Sequence, residues 1–246
     1  MMHPATHLLF EGLAYFVAWR VYRSQRKTLG DPVPNNTRTT VLVAAVLGAA
    51  IGSKLLHHLA SPSEFLAFWE GHSPLERVLY LAGGKTIVGA LLGGWFVVEA
   101  VKRIYNIQSR TGDLFTFPLL IGMAIGRIGC LAAGLNDDTL GVPTDSIFGI
   151  DFGDGIPRHP APLYEILFLV AFGFALKAYL QNPTRRFQRE GDSFRLFLFG
   201  YLVSRFLVDF LKPYEVYGGL RIIQMACLIG AVILLRDLIR VSKATV

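Results

Sequence analysis

Residues 126–135 read GRIGCLAAGL, residues 136–145 NDDTLGVPTD, residues 148–157 FGIDFGDGIP and residues 158–165 RHPAPLYE. They leave an apolar segment through an acidic, glycine-rich loop and re-enter apolar sequence. Arg127 thus lies inside a hydrophobic stretch, among Gly122, Gly126, Gly129 and Gly134. A charge at membrane depth is costly and rare, and usually faces a cavity where it pairs. The glycines allow a neighbouring helix or a lipid to come close, and tight helix packing alone accounts equally well for any one of them. Arg127 is therefore the first candidate functional residue.

Composition sets the context of this stretch. The chain has 246 residues, of which 52% are hydrophobic and only 17% charged. Its mean hydropathy is +0.45, more apolar than a single soluble core of this size requires. The expectation is an all-α integral membrane protein, a single transmembrane domain over residues 1–246. Seven apolar runs approach the roughly 20 residues that a helix needs to cross about 30 Å of hydrocarbon. They fall near 7–23, 40–59, 79–101, 114–135, 161–180, 194–211 and 219–239. None alternates with the period of two that marks a barrel strand. The first carries Glu11 and runs into RVYRSQRK without a small-residue cleavage site, which reads as an anchor.

Charge distribution predicts orientation. Arg20, Arg23, Arg26, Lys27 and Arg38 follow the first run, Lys102, Arg103 and Arg110 the third, and Lys177, Arg185, Arg186 and Arg189 the fifth; Arg236, Arg240 and Lys243 end the chain. The positive-inside rule makes that side cytoplasmic, with the N-terminus outside and the C-terminus inside. Glu64, Glu70, Glu76, Asp137, Asp138, Asp145, Asp151 and Asp154 lie in the opposite loops. The net charge of +6 is spread over short loops, so no nucleic-acid-binding face is expected.

At about 1.5 Å per helical residue, Arg127 lies about 12 Å below the outer end of its span and Arg205 about 9 Å below that of its own. Glu11, Lys54, Lys85, Glu165 and Asp209 fall in the same outer layer. Snorkelling to the interface is the expectation for Lys54, whereas Lys85 can equally snorkel or face the site. Arg205 and Asp209 are one helical turn apart and can pair with each other. A layer richer in cations than anions suits a lipid phosphate, whose oxygens match the planar donor fork of arginine. No phosphate-loop fingerprint is present, and no cofactor is implied. No metal signature is evident: the adjacent His57 and His58 would point to different helix faces. Cys130 and Cys227 both lie in apolar runs and form no disulfide framework. The loop 136–160 is long enough to form a small cap or hairpin, and Ser61–Glu76, with Phe65, Phe68 and Trp69, reads as an interfacial amphipathic stretch.

These motifs resemble the prolipoprotein diacylglyceryl transferases, bacterial inner-membrane enzymes with seven spans. The resemblance rests on GGKTIVGALLGG, GRIGCLAAG with LGVPTD, RHPAPLYE and GYLVSRFLVDFLKP, and covers most of the chain. It implies transfer of the diacylglyceryl group of phosphatidylglycerol to the lipobox cysteine of a prolipoprotein signal peptide, with membrane lipids as surroundings. Arg127 and Arg205 match the family's essential arginines, Gly141 its signature glycine, and His159, Tyr164 and Glu165 its RHPxxLYE pattern. Four positions depart from it. Val88 stands where the family has a histidine, Cys130 where it usually has an asparagine, Glu11 at a tyrosine of the first span and Pro162 at a glutamine.

The implied reaction is attack of the acceptor thiolate on the glycerol carbon bearing the phosphate, with loss of glycerol 1-phosphate. Two arginines in a water-poor cavity would stabilise the departing charge, each such group being worth about 3–4 kcal/mol. Thiols ionise near pH 8.5, and a positive site lowers that by about a unit or more. Glu11, His159 and Glu165 are the candidate bases; Lys85, Cys130, Gly141, Arg158, Tyr164 and Asp209 are the candidate substrate-binding residues. His159 and Tyr164 can equally serve only to hold the re-entry of the fifth span, and Glu165 only to neutralise an arginine. A transporter would spread its charges through the bilayer depth. A non-catalytic phospholipid-binding protein, or a transferase using another acceptor, would keep the arginines and change the proton-transfer set.

Overall fold

The apolar runs are helical in the computed structural model, which describes residues 5–30, 35–137, 139–187 and 189–243; Asp138 and the side chains of Arg240 and Lys243 lie outside the described residues. In chain order the helices are α1 (Ala5–Leu29), α2 (Asn35–Ala60), α3 (Pro62–Gly71), α4 (Pro74–Ala82), α5 (Ile87–Ile104), α6 (Asp113–Ala133), α7 (Ala161–Gln181), α8 (Asp192–Val208) and α9 (Ile222–Lys243). Among the described residues, four stretches are long and apolar enough to cross a membrane: Thr37–Ala60, Asp113–Asn136, Ala161–Gln181 and Ile222–Ile239. A fifth is the pair α4 and α5 taken together. The protein is thus a mostly helical membrane protein with four or five candidate spans among the described residues. The large apolar side chains left exposed on α2 (Val43, Val46, Leu47, Ile51) and α7 (Leu167, Val170, Phe174) agree, because soluble proteins rarely leave contiguous surface of this kind in water.

The run 79–101 is not the single straight span its hydropathy suggests. α4 and α5 meet at 83° across a four-residue break. Gly83 closes α4 by donating to the carbonyls of Leu79 and Tyr80. Gly84 has φ +60°, and a side chain there would collide with His57. Thr86 then caps α5 by accepting from Gly89 N at 3.2 Å. Two glycines followed by a threonine cap are a stop and a restart that hydropathy does not register.

The chain divides into two compact units. The first comprises residues 1–31, 110–213 and 234–246, the second 32–109 and 214–233. In the first, α6 packs against α1, α7 and α8. Gly129 lies so close to α1 that a Cβ there would stand 2.7 Å from Phe10 Cβ. Asp113 of α6 accepts from Gly191 N (2.6 Å) and Phe194 N (3.1 Å), satisfying amides at the start of α8. The loop between α6 and α7 carries an antiparallel pair, β1 (Ile150–Asp151) and β2 (Pro157–Arg158), the hairpin that its length and glycines suggest.

In the second unit α2 and α5 cross through Gly48, Gly52, Gly89 and Gly93, with backbone against backbone. Ser53 Oγ donates to Thr86 O at 3.0 Å and accepts from Thr86 N at 3.0 Å. Lys54, expected to snorkel, donates instead to the carbonyl of Ala82 at the end of α4. Phe65 and Phe68 of α3 pack on Tyr80 of α4, with ring centroids 6.2 and 4.2 Å apart.

Candidate active site

The first unit gathers five buried ionisable groups, Arg127, Glu165, Arg205, Asp209 and Lys212, at one end of α6, α7 and α8. Glu165, in the second turn of α7, is 1% exposed. Arg127 Nε lies 2.7 Å from its Oε2 and Arg205 Nη1 2.7 Å from its Oε1. Arg205 also reaches Asp209 one turn on, Nη2 to Oδ1 at 2.6 Å. The expected pairing of Arg205 with Asp209 is therefore present, but the arginine bridges two carboxylates and not one. Lys212 Nζ stands 3.5 Å from Glu165 Oε1 and also donates to the carbonyl of Thr139.

Arg127, Glu165, Arg205, Asp209 and Lys212 are all buried. A buried ion pair is retained only where its partners hold it in good geometry, and here three cations share two carboxylates. Lys212 is the member that sequence reasoning passed over. It follows the apolar run and precedes Pro213, which reads as an interfacial anchor, and only the tertiary fold turns it inward. Burial pulls its ammonium down to about 8 from an ordinary 10.5, with Glu165 opposing that shift.

Gly141 explains how Lys212 arrives there. Gly141 N donates to His159 O (2.9 Å), His159 N to Val142 O (3.1 Å), and Val142 N to Leu211 O (2.7 Å). Three segments distant in sequence are thereby tied at one point. A Cβ on Gly141 would stand 2.7 Å from His159 Cβ and 2.8 Å from the carbonyl oxygens of His159 and Leu211. Only glycine fits without movement.

The other sequence candidates separate by place. His159 Nδ1 lies 3.3 Å from the Tyr164 hydroxyl, so these two interact with each other at the start of α7. Arg158 is held in the hairpin, with Nη1 on Asp154 Oδ1 and Nη2 on Asp154 Oδ2, each at 2.8 Å. Lys85 is exposed in the break between α4 and α5, and Val88 is buried near the start of α5, both in the second unit.

Glu11 belongs to a second group beside Arg127. Arg127 Nη1 approaches Cys130 Sγ at 3.7 Å, and His7 Nδ1 lies 3.2 Å from Asp137 Oδ2. Glu11 Oε2 is 3.9 Å from His7 Nε2. One ligand-type atom from each of His7, Cys130 and Asp137 falls within 4.8 Å of the others. Because these residues stand at positions 7, 130 and 137, no local spacing announces the group.

Similar proteins match most of the chain in sequence. The phosphatidylglycerol–prolipoprotein diacylglyceryl transferase of Bordetella bronchiseptica is 31% identical over 230 residues, covering 85% of this chain and 79% of its own. That of Bordetella parapertussis is 32% identical over 223 residues, with the same coverage. The Geobacter sulfurreducens protein of the same name is 28% identical over 213 residues, 84% of this chain and 75% of its own. The family description "Prolipoprotein diacylglyceryl transferase" matches residues 7–239, a range that contains every charged residue of the buried cluster. The chain therefore belongs to the prolipoprotein diacylglyceryl transferase family.

Proposed function

We propose that this protein transfers the diacylglyceryl group of phosphatidylglycerol to the lipobox cysteine thiol of prolipoproteins, in the cytoplasmic membrane of a bacterium. The chain acts as one transferase domain with seven spans, its N-terminus outside and the α6–α7 hairpin on the outer face. The names of its relatives support the reaction, and the positive-inside pattern of its loops supports the orientation.

The observation that carries this reading is the buried Arg127–Glu165–Arg205 clamp. Three cations against two carboxylates leave one positive charge in excess, and the phosphate of the lipid, a monoanion, completes the balance. Glu165 fixes both guanidinium planes before substrate arrives, so little reorganisation is needed as charge develops on the departing phosphate. Its place between two arginines and Lys212 suits a positioning role better than that of a base. Asp209 holds Arg205 in the same way, and Lys212 adds a third cation on the phosphate side.

The test is a transfer assay with purified protein, phosphatidylglycerol and a lipobox peptide. The peptide gains the mass of one diacylglyceryl group. Arg127→Ala and Arg205→Ala each lower the rate about 100- to 1,000-fold, while the parent protein continues to bind the lipid. Lipid binding that depends on the arginines, with no mass gain in the parent protein, would identify a phospholipid-binding protein or a transferase with another acceptor.

A further inference from the structure

We propose that His7, Cys130 and Asp137 form a three-ligand site for a thiophilic divalent metal ion of the zinc type, with the acceptor thiolate as its fourth ligand. The metal site stands on its own geometry; only the role of the fourth ligand rests on the transferase reading.

The ligand atoms already stand near the required spacing. A tetrahedral ion with bonds of about 2.0–2.3 Å sets its ligand atoms about 3.3–3.8 Å apart. His7 Nδ1 and Asp137 Oδ2 are separated by 3.2 Å, and the whole trio fits within 4.8 Å. Small side-chain rotations close the difference. The ligands come from fixed parts of the fold: His7 from the first turn of α1, Cys130 from the last turn of α6, and Asp137 from just beyond the short 3-10 turn Gly134–Asn136. The close contact of Gly129 with Phe10 holds α1 against α6 beside them.

Ligand chemistry selects the ion. One thiolate, one imidazole and one carboxylate suit zinc, whereas magnesium and calcium take oxygen ligands. Three protein ligands with one open position are the pattern of a catalytic and not a structural zinc site. Metal-bound histidines usually direct their second nitrogen to a carboxylate, which fixes the tautomer. His7 Nε2 faces Glu11 at 3.9 Å, which gives Glu11 that supporting role. A divalent cation with one thiolate and one carboxylate is formally neutral, so it can sit beside the Arg127 guanidinium, 3.7 Å from Cys130 Sγ, without a large repulsive cost.

The site also accounts for ionisation of the acceptor thiol. A thiol bound to such an ion is deprotonated at neutral pH, so the acceptor thiol releases its proton to solvent on binding and no side-chain base is needed. Its sulfur lone pair then forms the carbon–sulfur bond at the glycerol carbon. The carbon–oxygen bond to phosphate breaks, its electron pair stays on the phosphate oxygen, and glycerol phosphate leaves as a dianion beside Arg127 and Arg205. The charge of thiolate plus lipid monoanion equals that of thioether plus dianion.

Cobalt titration of tag-free, metal-stripped protein in detergent tests the site independently of catalysis. One equivalent of cobalt is expected, with a near-ultraviolet thiolate-to-cobalt band and the visible bands of a tetrahedral ion. Cys130→Ser removes the near-ultraviolet band, His7→Ala and Asp137→Asn each weaken binding more than tenfold, and Glu11→Gln weakens it about 10- to 100-fold. A cysteine-containing lipobox peptide intensifies the band, and its serine counterpart does not. Thermal transitions close to that of the parent protein establish that the variants are folded.

No band at tens of micromolar cobalt, or a band that persists in Cys130→Ser, overturns the site. Diacylglyceryl transfer that continues at full rate in protein stripped of metal overturns its role toward the acceptor. A cobalt band in protein that gives no mass gain supports the site and counts against the transferase reading alone.

Discussion

Arg127 and Arg205 are bound to one carboxylate, and that sharing sets what single substitutions do. Glu165→Gln leaves two buried guanidinium groups without their common counter-charge, and loss of one partner from a buried pair costs about 3–5 kcal/mol. A marked fall in thermal stability is expected, larger than that of Asp154→Asn in the exposed hairpin. Gly141→Ala forces a methyl group against His159 and the Leu211 carbonyl, and overpacking of this kind costs about 1–3 kcal/mol; thermal unfolding in detergent measures both. Lys212 gives the site a pH dependence. It is charged in the folded protein only below about pH 8, so affinity for phosphatidylglycerol falls as pH rises through that value. The unfolded chain keeps the proton up to the ordinary lysine range, so between about 8 and 10.5 it binds more protons than the folded chain, and the stability contribution rises with pH. Lys212→Arg removes the binding transition, and an unchanged transition in that variant would assign it to another group. The two arginines are legible in the sequence because charge inside an apolar helix is expensive and conspicuous. Lys212 and the His7–Cys130–Asp137 group are not, because contacts across the fold create them.

At the level of elements, helix identity follows hydropathy closely but continuity does not. The positions of α1, α2, α6, α7, α8 and α9 are close to those of apolar runs, whereas the run at 79–101 hides the break at Gly83 and Gly84. Hydropathy averages over a window, and a two-residue backbone event with a threonine cap leaves that average unchanged. The cap is expected to hold the break in register. Thr86→Val removes the acceptor for Gly89 N, a loss of about 1 kcal/mol, and increases amide hydrogen exchange in the first turn of α5. Equal exchange in parent and variant would mean that the Ser53 contacts alone fix the turn. The glycine crossing of α2 and α5 is less tolerant. Gly52→Leu drives a side chain into the Gly89 carbonyl and is expected to unfold that unit.

For the whole molecule, the exposed apolar faces of α2 and α7 account for the high mean hydropathy, and orientation is open to direct test. A cysteine introduced at Gly153 is expected to react with a membrane-impermeant maleimide in intact cells, and one at Asn106 only after lysis. The reverse pattern would invert the assigned orientation. Cys130 and Cys227 are buried, so background labelling is low. The tie of Gly141, His159 and Leu211 bears on biogenesis. Its last strut and Lys212 lie beyond α8, more than forty residues after Glu165, so a nascent chain holds Glu165 against Arg127 well before the remaining cations emerge. Maturation of the centre is thus postponed until translation passes residue 212. A product truncated within α8 would lack Asp209, Lys212 and the Leu211 strut together, and would be a substrate for quality-control proteolysis and not a partially working enzyme.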